Sequence, residues 1–260
     1  MVSHYRKSRL SKRSASGKPK ARHWKPPDRR RVRTIRDRLR AYYGRPRNDP
    51  HGAPLDELVL TILSQNTNDR NRDVAYAQLR SRFGSWKDVA HAPAGEIEEA
   101  IRPGGISKVK SRRIQAILRS IEDRNPDLDL SWLADAPRQQ ALGYLEGLVG
   151  VGRKTAACVL LFSYDRPELP VDTHVYRAAS RLGLIRPGAS FDEAHETLLG
   201  LTDPEDVYEL HVNLIRHGRR LCRPKAPLCE QCPLRRLCPY GQELLAAGRA
   251  GAARSRPAGV

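Results

Sequence analysis

Apolar residues along most of the chain recur at three- and four-residue spacing, the periodicity of helices that bury one face. One such stripe consists of Leu55, Leu58, Val59, Ile62 and Leu63. Further stripes consist of Val109, Ile114, Ile117, Leu118 and Ile121, then Val175, Ala178, Ala179 and Leu182, then Val207, Leu210, Leu214 and Ile215. Residues 156–162 are apolar at nearly every position, which is typical of a helix buried on most sides. No run alternates between apolar and polar positions, so the pattern predicts an all-α fold.

Both ends of the 260-residue chain lack this periodicity. Residues 1–28 are rich in Lys, Arg, Ser and Pro, and residues 246–260 in Ala, Gly, Arg and Pro. Such compositions bury too little apolar surface to offset the entropy lost on ordering, so we predict that both segments are disordered. No apolar run reaches the roughly 20 residues that span a bilayer, so we expect no membrane partner. Without an apolar signal segment we expect the protein in the cytoplasm, at a bacterial nucleoid, and a nuclear or mitochondrial address is the alternative. We also expect a monomer.

The net charge of +18 is concentrated at the N-terminus. Residues 1–47 contain 18 Lys or Arg and two acidic residues, a net charge of +16, which leaves only +2 for the rest of the chain. A basic arm of this kind attracts the phosphate backbone of nucleic acid without regard to base sequence. A solvated tail or a transit peptide is the alternative interpretation.

A tight turn with the sequence Gly150-Val151-Gly152 lies between two predicted helices, at 141–148 and 153–162. Glycines let a backbone approach another chain closely, and the N–H groups at the start of the second helix suit a phosphate oxygen. Together with Arg153, these residues predict a helix-hairpin-helix that contacts DNA backbone. An ordinary turn between helices is the alternative.

Lys154 directly follows this turn. A lysine near a helix N-terminus, with its amine partly desolvated, can have a lowered pKa and attack an electrophilic carbon; a phosphate-binding cation is the alternative. Asp172 precedes the stripe that begins at Val175, where an N-cap is expected. A carboxylate near a nucleophilic amine can also handle protons or stabilise positive charge on a sugar. The two roles of Asp172 are compatible, because an N-cap side chain has a fixed direction.

Four cysteines lie within seventeen residues near the C-terminus, in the spacing C-x6-C-x2-C-x5-C. They are Cys222, Cys229, Cys232 and Cys238. Four thiolates hold either zinc or a 4Fe-4S cluster, and the single C-x2-C pair modestly favours the cluster. Arg223 and Lys225, between the first two cysteines, are placed to contact DNA phosphates. Cys158, in the apolar helix, is interpreted as a small core residue.

In three successive motifs the chain resembles the endonuclease III family of helix-hairpin-helix DNA glycosylases. They are Gly-Val-Gly-Arg-Lys-Thr-Ala at 150–156, Val-Asp-Thr-His at 171–174 and the cysteine array. The resemblance implies a two-domain, all-α glycosylase fold. A six-helix domain would span 55–165, and a cluster domain would combine 29–54 with 166–245. The cysteines would hold one 4Fe-4S cluster.

The resemblance also implies an activity, that of a bifunctional glycosylase and abasic-site lyase that removes oxidised pyrimidines from duplex DNA. Lys154 would attack the deoxyribose anomeric carbon, expel the base and form a Schiff base, assisted by Asp172. The strand would then be cleaved 3′ to the lesion by β-elimination.

Further residues are assigned by the same resemblance. Gln65 or Asn66 would fill the gap left by an extruded nucleotide, and Ile106 would form a second, apolar wedge. Glu146 and Ser107 would line the base pocket. The chain departs from the family in two places. Val149 replaces the usual hairpin proline, and Ser107 stands where an aromatic residue is common, so base specificity stays open.

Two other functions remain as hypotheses. One is a monofunctional glycosylase for alkylated or mismatched bases, against which the presence of Lys154 argues. The other is a non-catalytic iron–sulfur DNA-binding protein, against which Lys154 and Asp172 together argue.

Overall fold

The computed structural model describes residues 24–254, and side chains through residue 247. In this range the backbone is helical without strands, which confirms the predicted all-α fold. The helices are α1 (Arg29–Tyr43), α2 (Pro54–Leu63), α3 (Asp69–Arg82), α4 (Trp86–His91), α5 (Ala94–Ala100), α6 (Ser107–Glu122), α7 (Arg138–Glu146), α8 (Arg153–Tyr164), α9 (Thr173–Arg181), α10 (Phe191–Leu201), α11 (Val207–Arg220) and α12 (Pro239–Arg254). Short 3-10 turns connect several of them. Across residues 24–254, no helix has the length and apolar character needed to cross a membrane.

The helices pack around two hydrophobic cores. The first contains side chains of α2 to α8, from Leu55 to Leu160. The second contains side chains of α1 together with residues from Leu161 to Cys238. The chain therefore passes from one core to the other near the end of α8. The cores divide the chain between Leu160 and Leu161. The domain boundaries stay predictions, with one domain at 55–165 and the other combining 29–54 with 166–245.

The second core is closed by the N-terminal helix α1, which packs against α11 from the far end of the chain. Val32, Ile35 and Leu39 supply the buried face of α1. Its polar face makes ion pairs with the start of α11. The Arg40 guanidinium donates to both carboxylate oxygens of Glu209, at 2.7 and 2.6 Å, and Arg36 pairs with Asp206. These contacts explain why this basic helix is ordered.

The described residues extend into both of the segments that composition predicted to be disordered. The predicted basic arm, 1–28, lies mostly outside the described residues, but Trp24 donates to the Gly183 carbonyl at 3.3 Å and Asp28 caps α1. At the other end, α12 continues to Arg254, into the predicted tail of 246–260, whose disorder stays a prediction. Alanine favours helix formation strongly, and this segment is rich in alanine. Residues 255–260 lie outside the described range.

Candidate active site

The predicted hairpin forms the connection between α7 and α8. Gly150 has a φ of +80°, in the region that favours glycine, and the Val151 N–H donates to the Leu148 carbonyl at 3.1 Å. Val151 is buried and anchors the turn, whereas Val149 is 66% exposed at its tip. A Cβ on Gly150 would come within 3.0 Å of the Arg113 side chain. The hairpin therefore forms with valine in the place of proline, and it packs directly against α6.

Lys154 and Asp172 line one cavity between the two cores. Of the other predicted site residues, Gly152, Arg153, Gln65 and Asn66 also line it. The cavity also contains residues that sequence analysis did not assign to the site. Among these are Glu57, Thr61, Cys158, Phe191, His211 and Arg219. The fold therefore places Lys154 in one cleft with a thiol and several carboxylates, including Glu57 and Asp172.

Lys154 is half-buried at the start of α8. Burial lowers the pKa of its amine, but Cys158, Asp172 and Glu57 outweigh this effect, so the pKa lies above its ordinary value. The lowered pKa suggested by sequence analysis is therefore not found in the protein without DNA. Since an ammonium has no lone pair, Lys154 must lose a proton before it can act as a nucleophile.

Asp172 is the N-cap of α9, as predicted. Its Oδ1 accepts hydrogen bonds from the backbone N–H groups of His174, at 2.8 Å, and Val175, at 2.7 Å. These two donors stabilise the negative charge of the carboxylate and fix its direction. Asp172 is thus held beside Lys154 in a form suited to stabilising a nearby positive charge.

The two predicted wedge segments are tied together by one buried lysine. The Lys110 amine donates to the carbonyl of Leu63 at 2.7 Å and to that of Gly104 at 2.8 Å. Leu63 precedes the polar wedge segment that contains Gln65 and Asn66. Gly104 precedes Ile106, which is 52% exposed and has a φ of +48°. Lys110 therefore fixes the distance between the two segments.

Within the polar segment, Gln65 and Asn66 differ in environment. The Gln65 side-chain oxygen accepts a hydrogen bond from Arg113 at 2.6 Å, whereas Asn66 is exposed and has a φ of +52°. Arg113 also lies against Gly150 of the hairpin. This arginine therefore connects the polar wedge segment with the hairpin, and which of Gln65 and Asn66 enters DNA stays open.

Arg153 and Glu146 form ion pairs that sequence analysis did not anticipate, and the roles predicted for them and for Ser107 stay predictions. Arg153 is bound within the protein, since its guanidinium lies 2.6 Å from Glu196, 3.3 Å from Glu168 and 3.5 Å from Glu146. Its side chain is only 17% exposed. Glu146 and Ser107 are not among the residues that line the cavity in the described part of the chain. The contacts of Glu146 favour a role as an ion-pair partner of Arg153.

The four predicted metal-binding cysteines line a second pocket, together with Arg181, His217 and Gly241. Cys222 Sγ lies 3.3 Å from an Arg181 guanidinium nitrogen, and Cys238 Sγ accepts the Gly241 N–H at 3.4 Å. A Cβ on Gly241 would lie 3.6 Å from Cys238 Sγ and 3.9 Å from Cys229 Sγ. The glycine therefore leaves room beside two of the thiols. Within residues 24–254, no group of three or more His, Cys, Asp or Glu is close enough to hold a single metal ion.

The loop between the first two cysteines is organised by Arg181. Its guanidinium donates to the carbonyls of Arg223, at 2.7 Å, and Pro224, at 3.1 Å, besides contacting Cys222 Sγ. The side chains of Arg223 and Lys225 are exposed on this loop. The same arginine thus connects a predicted cluster ligand with a predicted DNA-binding loop.

Comparisons with known proteins agree with this geometry. Residues 59–204 match the family model of the HhH-GPD superfamily of base excision DNA repair proteins. Endonuclease III of Sulfolobus acidocaldarius is 34% identical over 185 residues, which cover 70% of this chain and 80% of that protein. Endonuclease III of Thermotoga maritima is 34% identical over 200 residues, which cover 75% and 87%.

A solved structure of a trapped endonuclease III–DNA covalent intermediate matches with a TM-score of 0.71 and 28% identity, over 84% of this chain and 99% of that one. The fold and the cleft define a helix-hairpin-helix DNA glycosylase. The chain belongs to the HhH-GPD superfamily of base excision DNA repair proteins, and within it to the endonuclease III family.

Proposed function

We propose that this glycosylase is bifunctional: it removes oxidised pyrimidines from duplex DNA and then cleaves the abasic site as a lyase. The position of Lys154 is the observation that carries the proposal. Its amine lies in the cleft, one residue into the helix that follows the hairpin, beside the capped carboxylate of Asp172. The trapped covalent complex of a similar endonuclease III supports a nucleophilic role for this amine.

The chemistry begins once the target nucleotide has left the base stack, which costs a few kcal/mol and is easiest for a damaged base. The neutral Lys154 amine attacks the anomeric carbon, and the bond to the base breaks. Asp172 stabilises the positive charge that develops on the sugar. The sugar ring then opens to a Schiff base, and loss of a proton from C2′ expels the 3′ phosphate by β-elimination.

The surface around Lys154 supplies the grip on DNA. The N–H groups of Gly150 and Gly152 are offered to a phosphate, with the positive end of the α8 dipole behind them. Gln65 or Asn66, together with the exposed Ile106, fills the gap left by the extruded nucleotide. Arg153 orients the start of α8 through Glu168 and Glu196 and is not itself assigned to a phosphate.

We further propose that Cys222, Cys229, Cys232 and Cys238 hold one 4Fe-4S cluster. The donor set, the space beside Gly241 and the N–H bond to Cys238 Sγ fit such a group. The bound cluster supplies positioning, because it fixes the loop that presents Arg223 and Lys225 to the DNA backbone. Iron and sulfide analysis of purified protein tests this assignment, and one zinc per chain without iron would overturn it.

Schiff-base trapping tests the lyase proposal. Duplex DNA with one abasic site is incubated with sodium borohydride and wild-type protein, Lys154→Ala, or the exposed control Lys87→Ala. We expect a covalent adduct on a denaturing gel with the wild type and the control, and none with Lys154→Ala. If folded, DNA-binding wild type gives no adduct, the lyase proposal is wrong, and a monofunctional glycosylase or a binding protein remains.

Excision assays test the substrate class separately. Duplexes with an oxidised pyrimidine, an alkylated purine or a mismatched thymine are compared under identical conditions. We expect release of the oxidised pyrimidine to be fastest. Preferential release of either other base, with the adduct retained, would overturn the substrate assignment and leave the lyase mechanism in place.

A further inference from the structure

A line of polar side chains runs behind Lys154, between α2 and α8. Glu57 and Thr61 lie one turn apart on α2, and Lys154 and Cys158 lie one turn apart on α8. The two helices pack against each other, and all four side chains line the cleft. The Thr61 hydroxyl donates to Glu57 Oε1 at 2.9 Å. The apolar helix interface thus contains a continuous polar strip.

Cys158 connects the two halves of this strip. Its thiol is 3% exposed and lines the same cleft as the Lys154 amine and the Thr61 hydroxyl. Burial raises the pKa of the thiol above its ordinary value, which favours the form that carries a proton. Groups with exchangeable protons therefore lead from Lys154 through Cys158 and Thr61 to Glu57.

His51 contacts the second carboxylate oxygen of Glu57. Its Nδ1 accepts the Ala53 N–H at 3.1 Å, so in the neutral ring the proton is on Nε2, which lies 3.6 Å from Glu57 Oε2. The His51 side chain is 39% exposed, and that of Glu57 is 14% exposed. Burial raises the pKa of the Glu57 carboxyl. A carboxylate with a raised pKa accepts a proton more readily than an exposed one does.

Asp172 Oδ1 is engaged by two backbone N–H groups, at 2.8 and 2.7 Å, whereas Glu57 Oε1 accepts the hydrogen bond of the Thr61 hydroxyl. We propose that Glu57 is the group that receives the Lys154 proton, with Cys158 and Thr61 as carriers and His51 as the residue that orients it. This assignment rests on the proposed lyase function. Glu57 is a positioning residue in this scheme, since it acts on the substrate only through Lys154.

The proton moves along this line in three steps. A proton passes from Lys154 Nζ to Cys158 Sγ, the thiol proton passes to Thr61 Oγ1, and the hydroxyl proton passes to Glu57 Oε1. Lys154 becomes a neutral amine and Glu57 a neutral acid, while the thiol and the hydroxyl regain their protons. Titratable groups also face this line from other elements. They are His51 before α2, Tyr76 on α3, Asp172 at the start of α9 and His211 on α11.

The test measures the single-turnover rate of adduct formation at an abasic site as a function of pH. The proteins are wild type, Glu57→Gln and the exposed control Glu99→Gln. For the wild type and the control we expect a rate that falls as pH is lowered and Glu57 becomes protonated. Glu57→Gln should trap at least about tenfold more slowly at neutral pH, and its rate should keep rising into the alkaline range where Lys154 loses its proton to solvent, with unchanged DNA affinity.

A second pair of variants separates proton transfer from packing. Cys158→Ala should slow trapping because it interrupts the line, whereas Cys158→Ser should restore much of the rate because a hydroxyl can carry a proton. Equal rates for the two would count against the carrier role.

The outcomes distinguish this proposal from the lyase proposal. Glu57→Gln that traps as fast as wild type, or faster with the acidic limb moved to lower pH, overturns the role of Glu57 alone. The faster result would mean that the Glu57 carboxylate acts only through its charge, which raises the pKa of Lys154, and that its removal makes the amine easier to deprotonate. Wild type that traps at no pH refutes the lyase function and the role of Glu57 together.

Discussion

Lys110 offers a sharp test of how the cleft is held in shape, because its buried amine joins the two wedge segments. The side chain is 2% exposed and donates to the Leu63 and Gly104 carbonyls. Lys110→Met keeps the length and most of the volume of the side chain but donates no hydrogen bond. Both carbonyls then lose a partner inside the protein.

The size of the effect follows from these two contacts. Each buried acceptor left without a donor costs about 1–3 kcal/mol. Part of this loss is offset, because the ammonium no longer has to be desolvated. We therefore expect the free energy of unfolding to fall by about 2–4 kcal/mol. For a protein of this size that corresponds to a decrease in Tm of roughly 5–15 °C.

Thermal unfolding and hydrogen exchange would measure the two consequences. Lys108→Met, at an exposed position on the same helix, is the control and should leave Tm unchanged. In Lys110→Met the amides of residues 64–68 and 104–106 should exchange faster, and affinity for lesion-containing duplex should fall more than affinity for intact duplex. A Tm within about one degree of wild type would refute the argument that these hydrogen bonds hold the segments together.

Three further changes have defined outcomes. Arg153→Ala should lower the free energy of unfolding by about 1–3 kcal/mol, because buried Glu168 loses a partner. The salt dependence of DNA binding should not change. If the slope of log affinity against log salt concentration fell by one charge, Arg153 would instead contact a phosphate. Gly241→Val should reduce the iron bound per chain, since a Cβ there points toward Cys238 and Cys229. Full iron content would contradict the proposal that the cluster occupies the space beside Gly241. Deleting residues 1–23 should weaken duplex binding and make it less dependent on salt concentration. An unchanged salt dependence would show that the arm does not contribute to DNA binding.

The sequence was informative where local signals are strong. The apolar stripe from Leu55 to Leu63 predicted α2, and glycines at 150 and 152 predicted the hairpin, because periodicity and backbone conformation are properties of neighbouring residues. Asp172 was identified as an N-cap for the same reason.

Long-range contacts account for what was missed. Glu57 and Thr61 meet Lys154 and Cys158 only because α2 packs on α8, about 90 residues later in the chain. Their one local signal is polarity on the buried side of an otherwise apolar helix, with Thr61 4% exposed. The ion pair of Arg153 with Glu196, 43 residues later in the chain, likewise has no local signal.

The pairing of α1 with α11 has a consequence for how the chain folds during synthesis. About 160 residues separate the end of α1 from the start of its partner. At a translation rate of roughly 5–20 residues per second, α1 waits about 8 to 30 seconds before α11 exists. The first core, from Leu55 to Leu160, is complete well before then and can fold on the ribosome. The second core is closed only when α1, the earliest helix among the described residues, meets one of the last to be made.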